Sequence, residues 1–267
     1  MNMTIFKNTL RRNYKLLLIF AGVLALYLAI IISLIDPSDM KKVQELFGTM
    51  ESYMSVFNIS IASMTSPLLY TASVFFSMLV MAFTMVFYVI QSTMLIAKPV
   101  ENTSMAYTLA APVTRTKLVA TKALYLIFSM LVLFAVILGV GAACLSAFKD
   151  FDFDFMAYLN LVGVTFCLCT TIAMLSFFLS VAFCGTKLGT GLATGVPIAL
   201  LFLNMMAGAG GDKTEWLHKV SPFGWLDSVG IVQGDVATGW MYAVFIGAMA
   251  VLFLASIIVF NRKRLPV

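Results

Sequence analysis

Six stretches of this chain, residues 16–35, 68–97, 123–148, 157–186, 188–211 and 236–261, are apolar and contain no Lys, Arg, Asp or Glu. A bilayer core about 30 Å thick takes roughly 20 residues of apolar helix to cross. Each stretch is long enough, so the expected fold class is all-α: a polytopic membrane protein with six transmembrane helices. The 17 Lys and Arg and the 12 Asp and Glu fall between the stretches or at their limits, as at Asp235. An ionisable side chain inside a span is the usual mark of a proton relay or ion path. With none there, the energy for any transport is expected to come from outside these helices.

The connections alternate in charge. One set comprises the N-terminal segment (Lys7, Arg11, Arg12, Lys15), the connection between the second and third stretches (Lys98, Arg115, Lys117, Lys122), the hinge at Lys187, and the tail Arg262-Lys263-Arg264; it has twelve basic residues and one acid, Glu101. The other set, residues 36–67, 149–155 and 212–235, has five basic residues and eleven acids. The positive-inside rule puts the first set, with both termini, in the cytoplasm. The net charge of +5 is spread over four separate segments, so nucleic-acid binding is not expected.

The first apolar run is longer than a signal-peptide core, and it ends at Ser33-Leu34-Ile35-Asp36-Pro37 without a small-residue cleavage pattern, so a retained helix is expected. Cys144, Cys167, Cys169 and Cys184 all fall within apolar stretches, where Cys acts as a small packing residue. Cys167 and Cys169 are two apart and do not share a helical face. His218 is the only histidine. No cluster has metal-ligand spacing, and no metal site is expected.

Within the first acidic connection, apolar residues recur three to four apart around residues 40–47 and 50–57. That period fits short amphipathic helices on the outer surface, or a solvated linker with helical tendency. Between the second and third stretches, Met105-Ala106-Tyr107-Thr108-Leu109-Ala110-Ala111 is expected to form a short apolar helix stopped by Pro112. Thr114 then caps a helix beginning at Arg115. Flanked by Glu101, Arg115 and Lys117, that short helix has the shape of a docking element for a soluble partner; a membrane-surface loop with basic anchors is the other reading. Gly185-x-x-x-Gly189 and Gly191-x-x-x-Gly195 permit close helix approach, and Pro197 is expected to kink the fifth span. The segment 212–235, with Trp216 and Trp225, reads as a re-entrant or interfacial element.

Taken in order, these pieces resemble the permease subunit of a type-2 ABC (ATP-binding-cassette) transporter. The basic entry Leu10-Arg11-Arg12-Asn13-Tyr14-Lys15 leads into the first span. The cytoplasmic stretch from Glu101 to Leu109, then Pro112-Val113-Thr114-Arg115 and Lys122, is similar to that family's E-x-G-T-x-x-x-L-L-x-x-P-V-S-R pattern with its later Lys. Val220-Ser221-Pro222-Phe223 resembles the I-S-P-F/L element before the last span, and Phe260-Asn261-Arg262-Lys263-Arg264-Leu265 the closing F-x-R-R-D-L. Asn102-Thr103-Ser104 lacks the usual Gly, and Arg264 stands where Asp is usual.

The resemblance implies one transmembrane domain over residues 1–267 in a plasma membrane, of bacterial type, with a cytoplasmic coupling segment at 98–122. It implies a second permease, identical or homologous, and two separate ATPase subunits. These would bind ATP and magnesium and dock at Glu101, Tyr107, Leu109, Arg115 and Lys117. The chain has no G-x-x-x-x-G-K-[ST] phosphate loop, so hydrolysis is assigned to the partner and no cofactor to this chain. Spans two and five are implied to enclose the substrate path. Ser77, Met78, Met81, Met85 and Asn204 are candidates to line it, with Pro197 as hinge. Met81, Met85 and Asn204 serve equally well as plain helix packing. An uncharged Met-, Phe- and Ser-rich path suits export of an amphipathic or apolar peptide, lipid or drug. A non-transporting scaffold, sensor or immunity protein shares the topology and is the alternative.

The topology is directly testable. In a background without native cysteines, a single Cys at position 41, 152 or 216 is expected to react with an impermeant reagent in intact cells, and one at 101 or 187 only after lysis.

Overall fold

The computed structural model describes residues 3–33, 56, 66–102, 114–147, 153–184, 186, 188–209 and 214–263. Its described elements are α1 (Met3–Ser33), α2 (Pro67–Glu101), α3 (Arg115–Leu145), α4 (Phe155–Ala182) and α5 (Leu188–Ala209), then α6 (Glu215–Val220), a 3-10 turn at Pro222–Trp225, α7 (Ser228–Gln233) and α8 (Thr238–Arg262). The helices α1 to α5 and α8 are long and apolar enough to cross a membrane. The chain is an all-α polytopic membrane protein. The short helices expected within 36–67 and at 105–111, with Tyr107 and Leu109, lie outside the described residues.

Local chemistry sets the helix starts. Ser66 Oγ accepts from Leu69 N at 3.2 Å, with Pro67 in the first turn, where its missing N–H costs nothing. Thr114 Oγ1 accepts from Lys117 N at 3.4 Å, the cap expected from sequence. Asp154 Oδ1 accepts from Met156 N and Ala157 N at 2.9 and 3.1 Å. Because the caps sit ahead of the charge-free windows, the helices run into the charged segments. Lys7, Arg11, Arg12 and Lys15 ride on α1, and Arg115, Lys117 and Lys122 on α3.

The central helix is α4, which touches α2, α3, α5, α7 and α8. Of its most apolar window 72% is buried, against 22% in α5 and 17% in α8. A helix apolar on every side has no solvent face and settles inside. The outer helices present Leu18, Phe202, Val251 and Leu254 outward; in a bilayer these are the lipid surface.

Where α3 passes α4, Gly141 makes room for Tyr158. A Cβ there would overlap the Tyr158 hydroxyl, which donates to Ile137 O at 2.8 Å. Gly139 meets nothing within 4 Å of its Cβ position. Gly141→Ala is therefore expected to lower stability by about 1–3 kcal/mol through overpacking. Gly139→Ala is expected to be neutral or to stabilise by about 0.5–1 kcal/mol. Thermal unfolding of both variants in detergent checks the pair.

Candidate transport path and coupling end

The second membrane helix departs from α geometry twice. Ala72–Val80 and Thr93–Ala97 run in π register, a deviation that concentrates at functional sites. At the second stretch, Ser180 of α4 inserts its hydroxyl into the ladder. It donates to Ser92 O at 3.3 Å and accepts from Ala97 N at 3.2 Å, the two groups that π register sets against each other. From the opposite side, Lys122 Nζ donates to Leu95 O at 2.6 Å. Ser92 Oγ shares a hydrogen bond of 2.5 Å with Ser176 Oγ, and Ser176 donates onward to Ala193 O at 2.6 Å.

That last bond explains how Pro197 sits inside α5. A proline has no N–H for the carbonyl four residues before it, and that carbonyl belongs to Ala193. Ser176 supplies the missing hydrogen, as membrane helices require of their neighbours when a proline interrupts them. The second interruption of α2 and the interruption of α5 are thus both held by serines on one turn of α4.

At the acidic end, Asn204 of α5 is buried and its Oδ1 pairs with His218 Nδ1 of α6 at 3.2 Å. The amide finds its partner within the chain rather than across an interface. Ser221 Oγ donates to Leu200 O at 2.9 Å, so the segment after α5 folds back on that helix. Trp225 stacks on Phe245 of α8 with centroids 6.1 Å apart. Gly224 allows the tight fold, since a Cβ there would lie 2.5 Å from His218 O. Asp227 Oδ1 caps α7 through Gly230 N at 2.9 Å, and Gly234 at φ 81° ends it, a conformation that suits glycine.

Between this segment and α2 lies a cavity of about 260 Å³ lined by Ser77, His218, Asp227 and Ser228 among others. The Ser228 hydroxyl is buried without a partner. Of the candidate path residues, Ser77 lines this cavity and Met78 is half-buried. Met81 and Met85 are 2% and 8% exposed and belong to the apolar core of the single chain. Asn204 reaches the cavity through His218.

At the basic end, three helix termini are tied together. Arg115 Nη1 donates to Lys263 O at 2.9 Å, Thr116 Oγ1 pairs with Asn261, and Lys263 Nζ donates to Ala182 O at 2.5 Å. Glu101 Oε1 accepts from Thr190 Oγ1 of α5 at 2.6 Å, joining the ends of α2 and α5. Lys117 is exposed beside them. Glu101, Arg115 and Lys117 therefore share one end of the bundle.

Sequence reasoning passed over Ser176, Ser180, Lys122 and His218 as site residues. Pro197 was the available signal for Ser176, because it announces an orphaned carbonyl that a neighbour has to meet.

Ser176→Ala is expected to cost about 1–2 kcal/mol by leaving the Ala193 carbonyl unmet. The loss should shrink in a Pro197→Ala background, where residue 197 regains its N–H. Ser129→Ala, which removes only a bond to Leu126 O within α3, serves as the near-neutral control in the same unfolding measurements.

Among the described residues there is no group of three or more His, Cys, Asp or Glu placed to hold a metal. The geometry is that of two interrupted helices braced by a third, with helix ends tied together at the basic end. Searches of curated proteins and of solved structures returned no match. Over residues 9–261 the chain matches the family described as multidrug efflux system permease Rv1217c, C-terminal domain. That match covers nearly the whole chain, all six long helices included, and the protein belongs to this multidrug efflux permease family.

Proposed function

We propose that the chain is the membrane-spanning subunit of an ATP-driven ABC exporter of type-2 form, moving amphipathic or apolar compounds out of the cell. The observation that carries the reading is the efflux-permease family match along residues 9–261. In this reading the basic end is cytoplasmic, as the loop charges require. Two separate ATPase subunits, with their ATP and magnesium, dock there against the segment holding Glu101, Tyr107, Leu109, Arg115 and Lys117. A second permease completes the path. The open face of α5, where Gly191 and Gly195 meet nothing within 4 Å of a Cβ position, suits close approach of that second subunit.

The path runs past Ser77 and Met78 toward the cavity beside His218, with Asn204 fixing the wall and Pro197 as the joint. Met81 and Met85 support that wall from inside the core. A path that is apolar at Met78 and ends at a cavity with Ser77, His218, Asp227 and Ser228 suits cargo of mixed polarity.

The test is to isolate the complex and assay it in vesicles. An ATPase should co-purify with the chain, and its hydrolysis should rise with amphipathic drugs. Met78→Trp should abolish drug stimulation and export while the complex still assembles. Met81→Ala should instead cost about 2–5 kcal/mol of stability. Leu109→Asp should release the ATPase, because it puts an unpaired charge into an apolar contact. Absence of any ATPase, or normal export by Met78→Trp, rejects this reading in favour of a non-transporting membrane protein or a path elsewhere.

A further inference from the structure

A second polar cavity lies at the basic end, away from the proposed cargo path. It has a volume of about 230 Å³ and is set between the first turns of α1 and the last turns of α2. Its lining includes Asn8, Arg12 and Asn13 from α1, Met94 and Lys98 from α2, and Lys122 from α3. We propose that this cavity binds the phosphate group of an anionic phospholipid of the adjoining leaflet.

Charge is the first support. Three cations from three helices converge on one cavity, and no carboxylate is among its described lining residues. Arg12 lies close enough to Lys122 for the two charges to repel. The nearest acid in sequence, Glu101, is turned to Thr190 on α5 at 2.6 Å. Like charges gathered in a partly desolvated site are unfavourable until an anion joins them, and basic pockets between membrane helices are where anionic headgroups bind.

Preorganisation is the second support. Lys122 and Asn13 are each only 8% exposed, so the floor of the cavity belongs to the packed bundle and not to mobile surface side chains. Leu95 O fixes the lysine head at 2.6 Å. The third support is position. The polar floor adjoins Met94, which is exposed, and on α1 the exposed Ile19, two turns beyond Arg12 on the same face, continues the apolar surface away from the basic end. A ligand seated here meets cations at its head and an apolar helix surface along its tail. This describes a phospholipid more closely than it describes a free anion. The inference does not depend on the cargo or on the ATPase.

The full chain, purified in detergent, is titrated with phosphatidylglycerol and separately with phosphatidylcholine, and binding is read by native mass spectrometry. Phosphatidylglycerol should bind in preference. Each basic residue near a membrane surface contributes about a fivefold effect on anionic-lipid binding. Lys98→Gln should therefore weaken phosphatidylglycerol binding roughly fivefold, and Arg12→Gln with Lys98→Gln about twenty-five-fold. Lys219→Gln at the opposite end should leave it unchanged. Lys98 is exposed, so its single variant keeps the test valid if the double variant does not fold. Inorganic phosphate alone is the competing arm. Failure to displace the lipid assigns the site to a lipid headgroup, whereas displacement at low concentration assigns it to free phosphate and overturns the lipid proposal. Equal binding of the two lipids, or unchanged binding in folded Lys98→Gln, also overturns it. So does a variant that keeps its lipid but loses a co-purifying protein, which would turn these cations toward an acidic protein partner.

Discussion

Inside a bilayer no water is available to a helix carbonyl that has lost its partner, and the core of this protein is arranged around that fact. An unsatisfied backbone group in hydrocarbon costs several kcal/mol. Helices that break register must therefore be repaired by neighbours. Two helices break it here: α2 through its π stretches and α5 through Pro197. The repairs come mainly from α4, where Ser176 serves Ala193 O and Ser180 bridges Ser92 O and Ala97 N. Lys122 of α3 adds the bond to Leu95 O. The most buried helix thus owes its place to more than apolar packing. It carries the hydroxyls that meet the second π stretch of α2 and the proline break of α5, while at the first π stretch Ser77 of α2 itself donates to Ala72 O.

A division within the bundle follows. Ser176 and Ser180 are one helical turn apart, so the weakened points of α2 and α5 sit at nearly the same depth against one continuous helix. The ladder in α2 and α5 is supported by side-chain bonds, which net less than a kcal/mol each in membranes on average and exchange more readily than an unbroken helix bends. Deformation is thereby confined to two helices, while α4 and the α1–α3 pair keep regular geometry. The aromatic contacts Phe76–Tyr158 and Phe134–Phe166, at 6.1 and 5.7 Å between centroids, fill the layers between the regular helices and the first π stretch.

Much of this architecture was legible in the residues. Charge-free apolar runs separate cleanly, because burying an ionised side chain in hydrocarbon is so unfavourable that chains avoid it. Thr114 and Pro67 marked helix starts because a cap is a local arrangement. The limits of the helices were less legible. Hydropathy reports where lipid begins and not where hydrogen bonding stops, so α1 reaches back to Met3, well ahead of the apolar run that begins at residue 16, and Lys122 of α3 is buried despite its charge. Met78, Met81 and Met85 are equivalent candidates in the sequence. Their spacing did not say which of them turn inward, and two of the three fill the core. The second π stretch left no mark in composition, since Ser180, which bridges it, is more than 80 residues away in sequence. The Asn204–His218 pair was also hidden. A lone histidine in a connecting segment gives no sign of the amide it will face.

These ties bear on how movement at one end could be felt at the other. Helix α5 is held at its basic end by Thr190 on Glu101 and at its acidic end by Asn204 on His218 and Leu200 O on Ser221. Between them lies Pro197, where the ladder is already open. If the ATPase of the proposed exporter displaces the end of α2, the Glu101 contact passes that displacement to α5. A helix fixed at both ends and interrupted in the middle bends at the interruption. Asn204 lies on the far side of that bend, and its partner His218 lines the cavity shared with Ser77. In the proposed exporter, a shift at the basic end would in this way reach a polar cavity near the opposite face without any charge crossing the bundle. Such a link suits the proposed drive by hydrolysis in a partner subunit.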